Sequence, residues 1–312
     1  MYGLLSGRVQ SVVCVVGVLF IGLAGWFEDI KVGRAREGSD PTIGSPPPFS
    51  LAIASGGMSM TATETDAQLA ARLATDAGIR LVALRQRMWT AGAVSWEVMD
   101  GGDMASQHFL ADELAAARPD DAVLSEEGVE DPRRFEVDRV WIIDPLDGTR
   151  EFGEPGRLDW AVHVALWERD HFAAAAVSLP AINRTFATDP APTLPPAERS
   201  RPRLITSRSR PPRLARVVTE ALGAEPMHLG SAGAKTMAIV VGDADIYVHA
   251  GGQYQWDSAA PAAVAQAAGL HVSRVDGSPI VYNDRDVWLP DFLVCRKEYA
   301  TATLAAIATS PA

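Results

Sequence analysis

The sequence predicts an α/β fold, because stretches with helical hydrophobic spacing alternate with short apolar runs typical of buried strands. Apolar residues recur with a period of about 3.6 over residues 67–84, which indicates an amphipathic helix. Residues 160–167 (WAVHVALW) are almost wholly apolar, as expected of a central strand. An alanine-rich segment at 258–268 predicts a second type of helix, one buried among other elements.

The other elements keep the same alternation along the chain. Thr65 or Asp66 would cap the first helix, since short polar side chains accept hydrogen bonds from its free amides. In the first half we then expect a helix at 103–117 and strands at 122–124, 140–143 and 160–167. In the second half we expect a strand at 203–206, a helix at 231–241, a strand at 245–249 and a helix at 258–268.

Three regions follow from this pattern: a tail at 1–57, a first half at 58–190 and a second half at 200–312, separated by a proline-rich connection. The apolar run at 12–27 is shorter than the roughly 20 residues of a spanning helix. Translation could begin at Met58 or Met60, which predicts a cytoplasmic protein. The alternatives are a membrane anchor or export signal in the tail, or a disordered tail.

The overall charge of the chain limits the kinds of molecule that it can bind. The formal net charge is −11 and the sequence pI is about 5.0, so the chain repels nucleic acid and anionic membranes. A small phosphorylated substrate stays possible because bound cations can reverse the local charge. Cys14 and Cys295 are the only cysteines, which excludes a disulfide framework and a cysteine-rich zinc site.

The central motif is WIIDPLDGT at 141–149. An apolar strand leads directly into Asp144 and Asp147, and Pro145 fixes one backbone dihedral between them. Two carboxylates held at the end of a strand can converge on hard cations, and the Leu146 carbonyl can join them. An ordinary Asp-Pro turn is the other interpretation of a lone Asp-Pro pair, but it leaves the rest of this string unexplained.

Gly148 and Thr149 are predicted to open a helix whose free amides suit a phosphate oxygen. A phosphate monoester dianion repels hydroxide, so its uncatalysed hydrolysis is among the slowest reactions known. Two metal ions would neutralise the phosphate and lower the pKa of bound water. The pattern therefore indicates metal-dependent phosphate chemistry.

Three ordered motifs resemble those of the inositol monophosphatase superfamily. WIIDPLDGT at 141–149 is similar to its metal-binding signature, and WDSAAP at 256–261 is similar to its C-terminal Trp-Asp motif. LSEE at 124–127 resembles the Gly-Glu-Glu segment, with Ser125 in place of the glycine. The resemblance spans about residue 60 to the C-terminus.

The resemblance implies a layered α/β/α/β/α fold with a metal-binding first half and a substrate-binding second half. It also implies a lithium-sensitive phosphatase with two or three Mg²⁺, often a homodimer. Glu126, Asp144 and the Leu146 carbonyl would bind the first ion, and Asp144, Asp147 and Asp257 the second.

Catalytic roles are implied for Glu126, Thr149 and Asp103, with Asp103 at the start of a helix. The segment at 97–102 departs from the family pattern, which puts a third metal in doubt. His163 lies inside an apolar strand, so we interpret it as a buried core residue.

The substrate pocket is implied to include GSAGAK at 230–235, with Ser231 and Lys235, together with Gly148, Thr149 and His249. Lys235 and Arg274 are candidates for binding a second phosphate. These residues and the TREF segment at 149–152 resemble the CysQ branch, which acts on 3′-phosphoadenosine 5′-phosphate.

Two departures bear on the substrate. The family's glutamate near the His249 position is absent, which argues against inositol, and the usual Pro-Arg of the CysQ branch is absent too. Inositol 1-phosphate and fructose 1,6-bisphosphate remain alternative substrates. An inactive metal-binding regulator is a further alternative, against which the intact acids argue.

Overall fold

Two long helices open the described part of the chain. The computed structural model describes residues 64–197 and 199–310, and α1 (Asp66–Thr90) begins there directly after Thr65. The Thr65 hydroxyl accepts the Gln68 amide at 3.2 Å, and the Gln68 side chain accepts the Thr65 amide at 3.0 Å. This capping box satisfies two free amides, so the predicted cap at Thr65 is confirmed.

The second helix begins earlier than predicted. Helix α2 (Ser95–Ala117) includes residues 97–102, so Asp103 lies in the helix interior and not at its start. The Glu97 carboxylate accepts the Val94 amide at 3.0 Å, which stabilises this helical start. The glycines in this segment suggest a break, but a Cβ at Gly102 would lie 2.6 Å from the Phe152 ring. Gly102 therefore permits close packing inside a continuous helix.

The first sheet has five strands in the order in which they occur in the chain. They are β1 (Ala122–Ser125), β2 (Arg139–Asp147), β3 (Ala161–Glu168), β4 (His171–Leu179) and β5 (Arg184–Ala187). Strands β1 and β2 are parallel and the later pairs are antiparallel. A single turn of helix, α3 (Thr149–Phe152), follows β2, so the predicted opening of a helix at Gly148 gives only four residues.

The second sheet also has five strands but a different order, β7-β6-β8-β10-β9. They are β6 (Arg203–Ser207), β7 (Glu225–Leu229), β8 (Ile246–Tyr254), β9 (His271–Ser273) and β10 (Trp288–Cys295). The helices of this half are α4 (Arg213–Leu222), α5 (Ala232–Val240), α6 (Gln255–Ala267) and α7 (Lys297–Ala308). Strand β8 runs beyond the predicted 245–249 and passes directly into α6.

The helices and sheets form five layers. Helix α1 packs on β3, β4 and α2, while α6 contacts both sheets and also packs on α5. Helices α4 and α7 pack together, and α4 covers β6 and β8 of the second sheet. The predicted α/β/α/β/α fold is confirmed. One sheet lies on each side of the connection at 190–202, whereas the division into halves at 58–190 and 200–312 stays a prediction.

The tail lies outside the described residues, and with it the apolar run at 12–27 and the predicted start at Met58 or Met60. Within residues 64–197 and 199–310, none of the helices is both long and apolar enough to cross a membrane.

We expect the α1–α2 layer to tolerate substitution only on its outer face. Leu110 of α2 is fully buried, so Leu110→Ala should lower the free energy of unfolding by about 2–5 kcal/mol through lost contacts and a cavity. Met104 lies in the same helix and is 52% exposed, so Met104→Ala should change it by less than about 0.5 kcal/mol. Urea denaturation of both variants measures the difference, and equal losses would contradict this packing.

Candidate active site

A β-bulge brings Asp144 and Asp147 together. Residues three apart on a regular strand face opposite sides of the sheet. Here Asp144 pairs with His163 and Asp147 with Ala161, so β2 uses one residue more than β3 between the two pairs. The extra residue rotates the strand, which lets both carboxylates point to one side. Pro145 lies within this bulge, where its missing amide breaks no ladder bond.

The bulge is fastened to its surroundings. The Ser106 hydroxyl donates to the Pro145 carbonyl at 2.7 Å, which ties α2 to the strand end. The Leu146 amide donates to Asp144 Oδ1 at 3.1 Å. These bonds hold the strand end rigidly, as a preorganised site requires.

A third carboxylate comes from helix α6, which contacts both sheets. Asp257 lies in the first turn of α6, where its side chain accepts the Tyr254 amide. One carboxylate oxygen from each of Asp144, Asp147 and Asp257 lies within 4.8 Å of the others. The structure thus brings together three of the predicted metal ligands, including the complete set predicted for the second ion.

Asp147 is surrounded by groups that stabilise its charge. Its Oδ2 accepts from the Ser231 hydroxyl and from the Gly233 amide at 2.7 Å, and His163 Nε2 lies 3.2 Å away. Burial by itself raises the pKa of Asp147, but attraction to His163 and Lys235 and the bond from Ser231 outweigh it and lower the pKa to about 2. Asp147 therefore stays ionised at neutral pH.

The other two carboxylates are compensated less, because Asp144 accepts only the Leu146 amide and Asp257 only the Tyr254 amide within the described residues. Complete burial, followed by repulsion from Glu126 and Asp147, raises the pKa of Asp144 well above its usual range. Burial and repulsion from Asp147 raise the pKa of Asp257 to about 6. Asp144 Oδ2 is buried and has no hydrogen-bond donor within the described part of the chain. A hard cation between these oxygens would satisfy that atom and relieve the repulsion, so the residues fit a divalent ion.

Glu126 lies just past β1, on the wall of the same cavity but outside the three-carboxylate cluster. Its side chain is exposed on that wall, near the carboxylates of Glu127, Asp147 and Asp257. Loss of hydration, followed by repulsion from Asp257 and Glu127, raises the pKa of Glu126 to about 8. The Leu146 carbonyl, the last predicted ligand, is 3.0 Å from the Thr149 hydroxyl.

Thr149 and Asp103 form a hydrogen-bonded pair. The Thr149 hydroxyl lies 3.2 Å from Asp103 Oδ1 and 3.0 Å from the Leu146 carbonyl, so it can donate to either. Burial and repulsion from Glu127 raise the pKa of Asp103 to about 7, although the bond from Thr149 opposes this rise. The two predicted catalytic residues thus meet although Asp103 is not at a helix start.

A cavity of about 480 Å³ opens onto these groups. Its wall includes four of the five predicted substrate-binding residues, Gly148, Thr149, Lys235 and His249. Ser231 is the exception, because it is 1% exposed and its hydroxyl bonds Asp147. Its observed contact is therefore with a predicted metal ligand, behind the cavity wall.

Both predicted cations for a second phosphate already have partners within the protein. The Lys235 ammonium is 3% exposed and donates to the Gly230 and Ser231 carbonyls, at 2.9 Å in the latter case. Burial lowers its pKa to about 8. Arg274 forms a two-pronged ion pair with Asp291 at 2.7 Å and does not line the cavity. Arg274 is thus misplaced for the predicted role, and Lys235 holds the 230–231 turn.

Sequence reasoning missed how His163 serves the site. The ring is fully buried, as predicted for a core residue, but its Nδ1 lies 3.2 Å from the Trp256 carbonyl and its Nε2 faces Asp147. A Cβ at Gly233 would lie 2.2 Å from His163 Nε2, which explains the glycine. The almost wholly apolar strand at 160–167 gave no indication of this contact.

The uncompensated carboxylates predict an unusual pH dependence of stability. Asp144, Glu126 and Asp257 have folded-state pKa values above their unfolded values, so the native state binds their protons more tightly. Their contribution to stability is complete below about pH 4 and is lost as the pH rises toward about 8. With a chelator present, the midpoint of thermal unfolding should therefore fall between pH 5.5 and pH 8.

Asp144→Asn removes one of these carboxylates, so its midpoint should fall less steeply over the same range. Added Mg²⁺ should restore the wild-type midpoint at pH 8. Identical slopes for the wild type and the variant would contradict the repulsion described above.

The motifs and fold match known proteins. The pattern of the inositol monophosphatase family matches residues 97–311. A Mycobacterium leprae protein named 3′-phosphoadenosine 5′-phosphate phosphatase is 47% identical over 255 residues, 78% of this chain and 93% of that protein. The Escherichia coli K12 protein named 3′(2′),5′-bisphosphate nucleotidase CysQ is 30% identical over 207 residues, 62% of this chain and 82% of that protein.

The fold has solved counterparts as well. The structure of inositol monophosphatase II from Staphylococcus aureus matches with a TM-score of 0.62 at 20% identity. That match covers 77% of this chain and 95% of the solved one. The shared fold and the family pattern lead to one conclusion: this chain belongs to the inositol monophosphatase family.

Proposed function

We propose that the protein is a Mg²⁺-dependent phosphatase that hydrolyses 3′-phosphoadenosine 5′-phosphate to AMP and phosphate. The observation that supports the chemistry is the convergence of three carboxylate oxygens within 4.8 Å, two of which belong to residues on a cavity wall, Asp147 and Asp257. The substrate is suggested by the names of the relatives at 47% and 30% identity. A place in sulfur assimilation would follow from that substrate.

The residues that would hold the cations are those predicted from the sequence. Glu126, Asp144 and the Leu146 carbonyl would hold one ion, and Asp144, Asp147 and Asp257 another. Bound Mg²⁺ would neutralise the phosphate and lower the pKa of a bound water. Asp147 is best prepared for this role, because its pKa of about 2 keeps it charged without a cation.

The chain's own groups would orient water and move its proton. Asp103 receives the Thr149 hydroxyl proton in a hydrogen bond, which leaves the Thr149 oxygen free to accept one from the attacking water. The raised pKa of Asp103 allows this carboxylate to hold a proton near neutral pH, whereas Glu126 would act through the ion it holds. As the water oxygen bonds to phosphorus and the ester bond breaks, Asp103 would take the proton and return it to the leaving oxygen.

Phosphate release by the purified full chain tests the substrate assignment. We expect turnover of 3′-phosphoadenosine 5′-phosphate with Mg²⁺, at a kcat/KM above that for inositol 1-phosphate and fructose 1,6-bisphosphate. A chelator should abolish the activity and Mg²⁺ should restore it. Preference for inositol 1-phosphate would contradict the proposal.

Asp147→Asn tests the carboxylate cluster. The amide keeps the shape of the side chain but removes one of the charges that would hold a cation, so turnover should fall more than tenfold. Asp112→Asn makes the same exchange at an exposed position of α2 and should leave the rate unchanged. Retention of more than about a tenth of the wild-type rate by Asp147→Asn, equivalent to about 1.4 kcal/mol of barrier, would exclude the assignment.

Inhibition by lithium is a further expectation. Li⁺ is close to Mg²⁺ in size but has half its charge, so it could replace an ion held by Asp144, Asp147 and Asp257. Millimolar or lower concentrations should then inhibit phosphate release, and excess Mg²⁺ should alter the inhibition. An enzyme that is active with Mg²⁺ yet indifferent to Li⁺ would show that this cluster binds ions differently from the family pattern.

A further inference from the structure

Two arginines on the cavity wall have no acidic partner. Arg150 is the second residue of α3 and Arg210 lies in the loop after β6, and both side chains are exposed. Neither guanidinium forms an ion pair or a hydrogen bond with residues 64–197 or 199–310. Arg208, two positions before Arg210, is by contrast fully engaged, since it contacts Glu151 and Glu154 at 2.7 Å.

The Arg208 contacts explain why both free arginines lie on one wall. Glu151 belongs to α3 and Glu154 follows it, so Arg208 fastens the loop after β6 to the segment that carries Arg150. The Arg210 amide also donates to the Ser207 hydroxyl at 3.2 Å, which shapes the loop. The backbones of Arg150 and Arg210 are therefore held at a cavity whose wall also includes Asp147 and Asp257 of the carboxylate cluster.

These two arginines differ in charge from the carboxylates of this wall, yet within the described part of the chain they form no ion pair with them. The wall contains four carboxylates, from Glu126, Asp147, Glu151 and Asp257, and the chain has a net charge of −11. Guanidinium groups bind phosphate through two parallel hydrogen bonds and are hydrated weakly, so a phosphate fits them better than water does. A phosphate held at the carboxylate cluster would leave them without a partner, whereas a second phosphate on the same substrate could reach them.

We propose that Arg150 and Arg210 bind the second, non-reacting phosphate of a bisphosphate substrate. The proposal rests on the proposed function and deepens it. It reassigns a role first expected of Lys235, whose ammonium is buried and donates to two carbonyls. The arginines are specificity residues, because the ester bond breaks at the other phosphate.

The test is the ratio of kcat/KM for 3′-phosphoadenosine 5′-phosphate to that for inositol 1-phosphate, which has no second phosphate. Arg210→Ala and Arg150→Ala should each lower this ratio about tenfold, as expected for hydrogen bonds to a charged group. Arg210→Lys keeps the charge but loses the pair of parallel hydrogen bonds that a guanidinium can donate. The ratio for this variant should therefore lie between those of the wild type and Arg210→Ala. Arg87→Ala, at an exposed position of α1 away from the cavity, removes the same charge and should leave the ratio unchanged.

The outcomes separate the two proposals. If the wild type does not hydrolyse the bisphosphate, the proposed function fails. If the wild type does hydrolyse it and both alanine variants keep the wild-type ratio within about twofold, the arginine proposal fails alone. A loss of the same size in Arg87→Ala would show a general charge effect and would also overturn it.

A separate observation concerns two exposed aromatic side chains on the same cavity. The Tyr254 backbone, at the end of β8, pairs with that of Trp288 at the start of β10, and the two residues are 45% and 46% exposed. One face of the Tyr254 ring stacks on Trp256 with 4.9 Å between the ring centroids, so a base would meet the other face. Gly252 has a φ of +94°, and a Cβ there would lie 2.5 Å from Trp288 Nε1. The Trp288 indole thus packs directly on the Gly252 backbone, where any side chain would collide with it. We infer that Trp288 and Tyr254 form the surface on which a heteroaromatic base stacks.

AMP and ribose 5-phosphate provide a matched pair of inhibitors that differ only in the base. Trp288→Ala should lower the preference for AMP, measured as the ratio of the two inhibition constants, about tenfold. Trp288→Phe keeps an aromatic face and should recover most of the preference. Trp96→Ala removes an indole that is 63% exposed and lies outside the cavity, and it should have no effect. An unchanged ratio in Trp288→Ala, or an equal loss in Trp288→Phe, would overturn this inference.

Discussion

The structure depends on holding three like charges together where water is largely excluded. Asp144, Asp147 and Asp257 come from a strand end and a helix start, and their nearest oxygens lie within 4.8 Å. Such an arrangement is unfavourable for folding unless each charge is compensated. The protein compensates Asp147 most fully, through Ser231, Gly233 and nearby His163. The other two carboxylates are left for a cation, so binding and stability are coupled.

Several local features follow from this constraint. Gly233 brings its amide to Asp147, and a side chain there would collide with His163. At Gly230 a Cβ would lie 2.0 Å from Glu151, whose carboxylate also binds Arg208. Lys235 then holds the carbonyls of the same turn. The second half of the chain thus supports a carboxylate of the first half, and the same contacts shape the cavity wall.

The cavity has two chemically different parts. Its acidic part is suited to cations and, through them, to the reacting phosphate. Arg150, Arg210 and the aromatic pair provide the opposite chemistry, with unpaired guanidinium groups and exposed rings. These groups lie on loops and strand ends that the rest of the fold holds in place. Substitutions at these positions can therefore change the preferred substrate without disturbing the carboxylate cluster.

The sequence alone predicted the fold class and the three acids that the structure brings together, because WIIDPLDGT and WDSAAP are short strings whose chemistry is local. It did not predict β4, whose alanine run HFAAAAVSL has little strand propensity; packing between α1 and α6 decides its form. It also missed the helical start at Ser95, and it assigned a phosphate to Lys235 and Arg274, whose charges the structure pairs with groups of the protein. Only tertiary structure decides which charges are already paired, because the partners Asp291, Gly230 and Ser231 are set by three-dimensional packing and not by spacing in the chain.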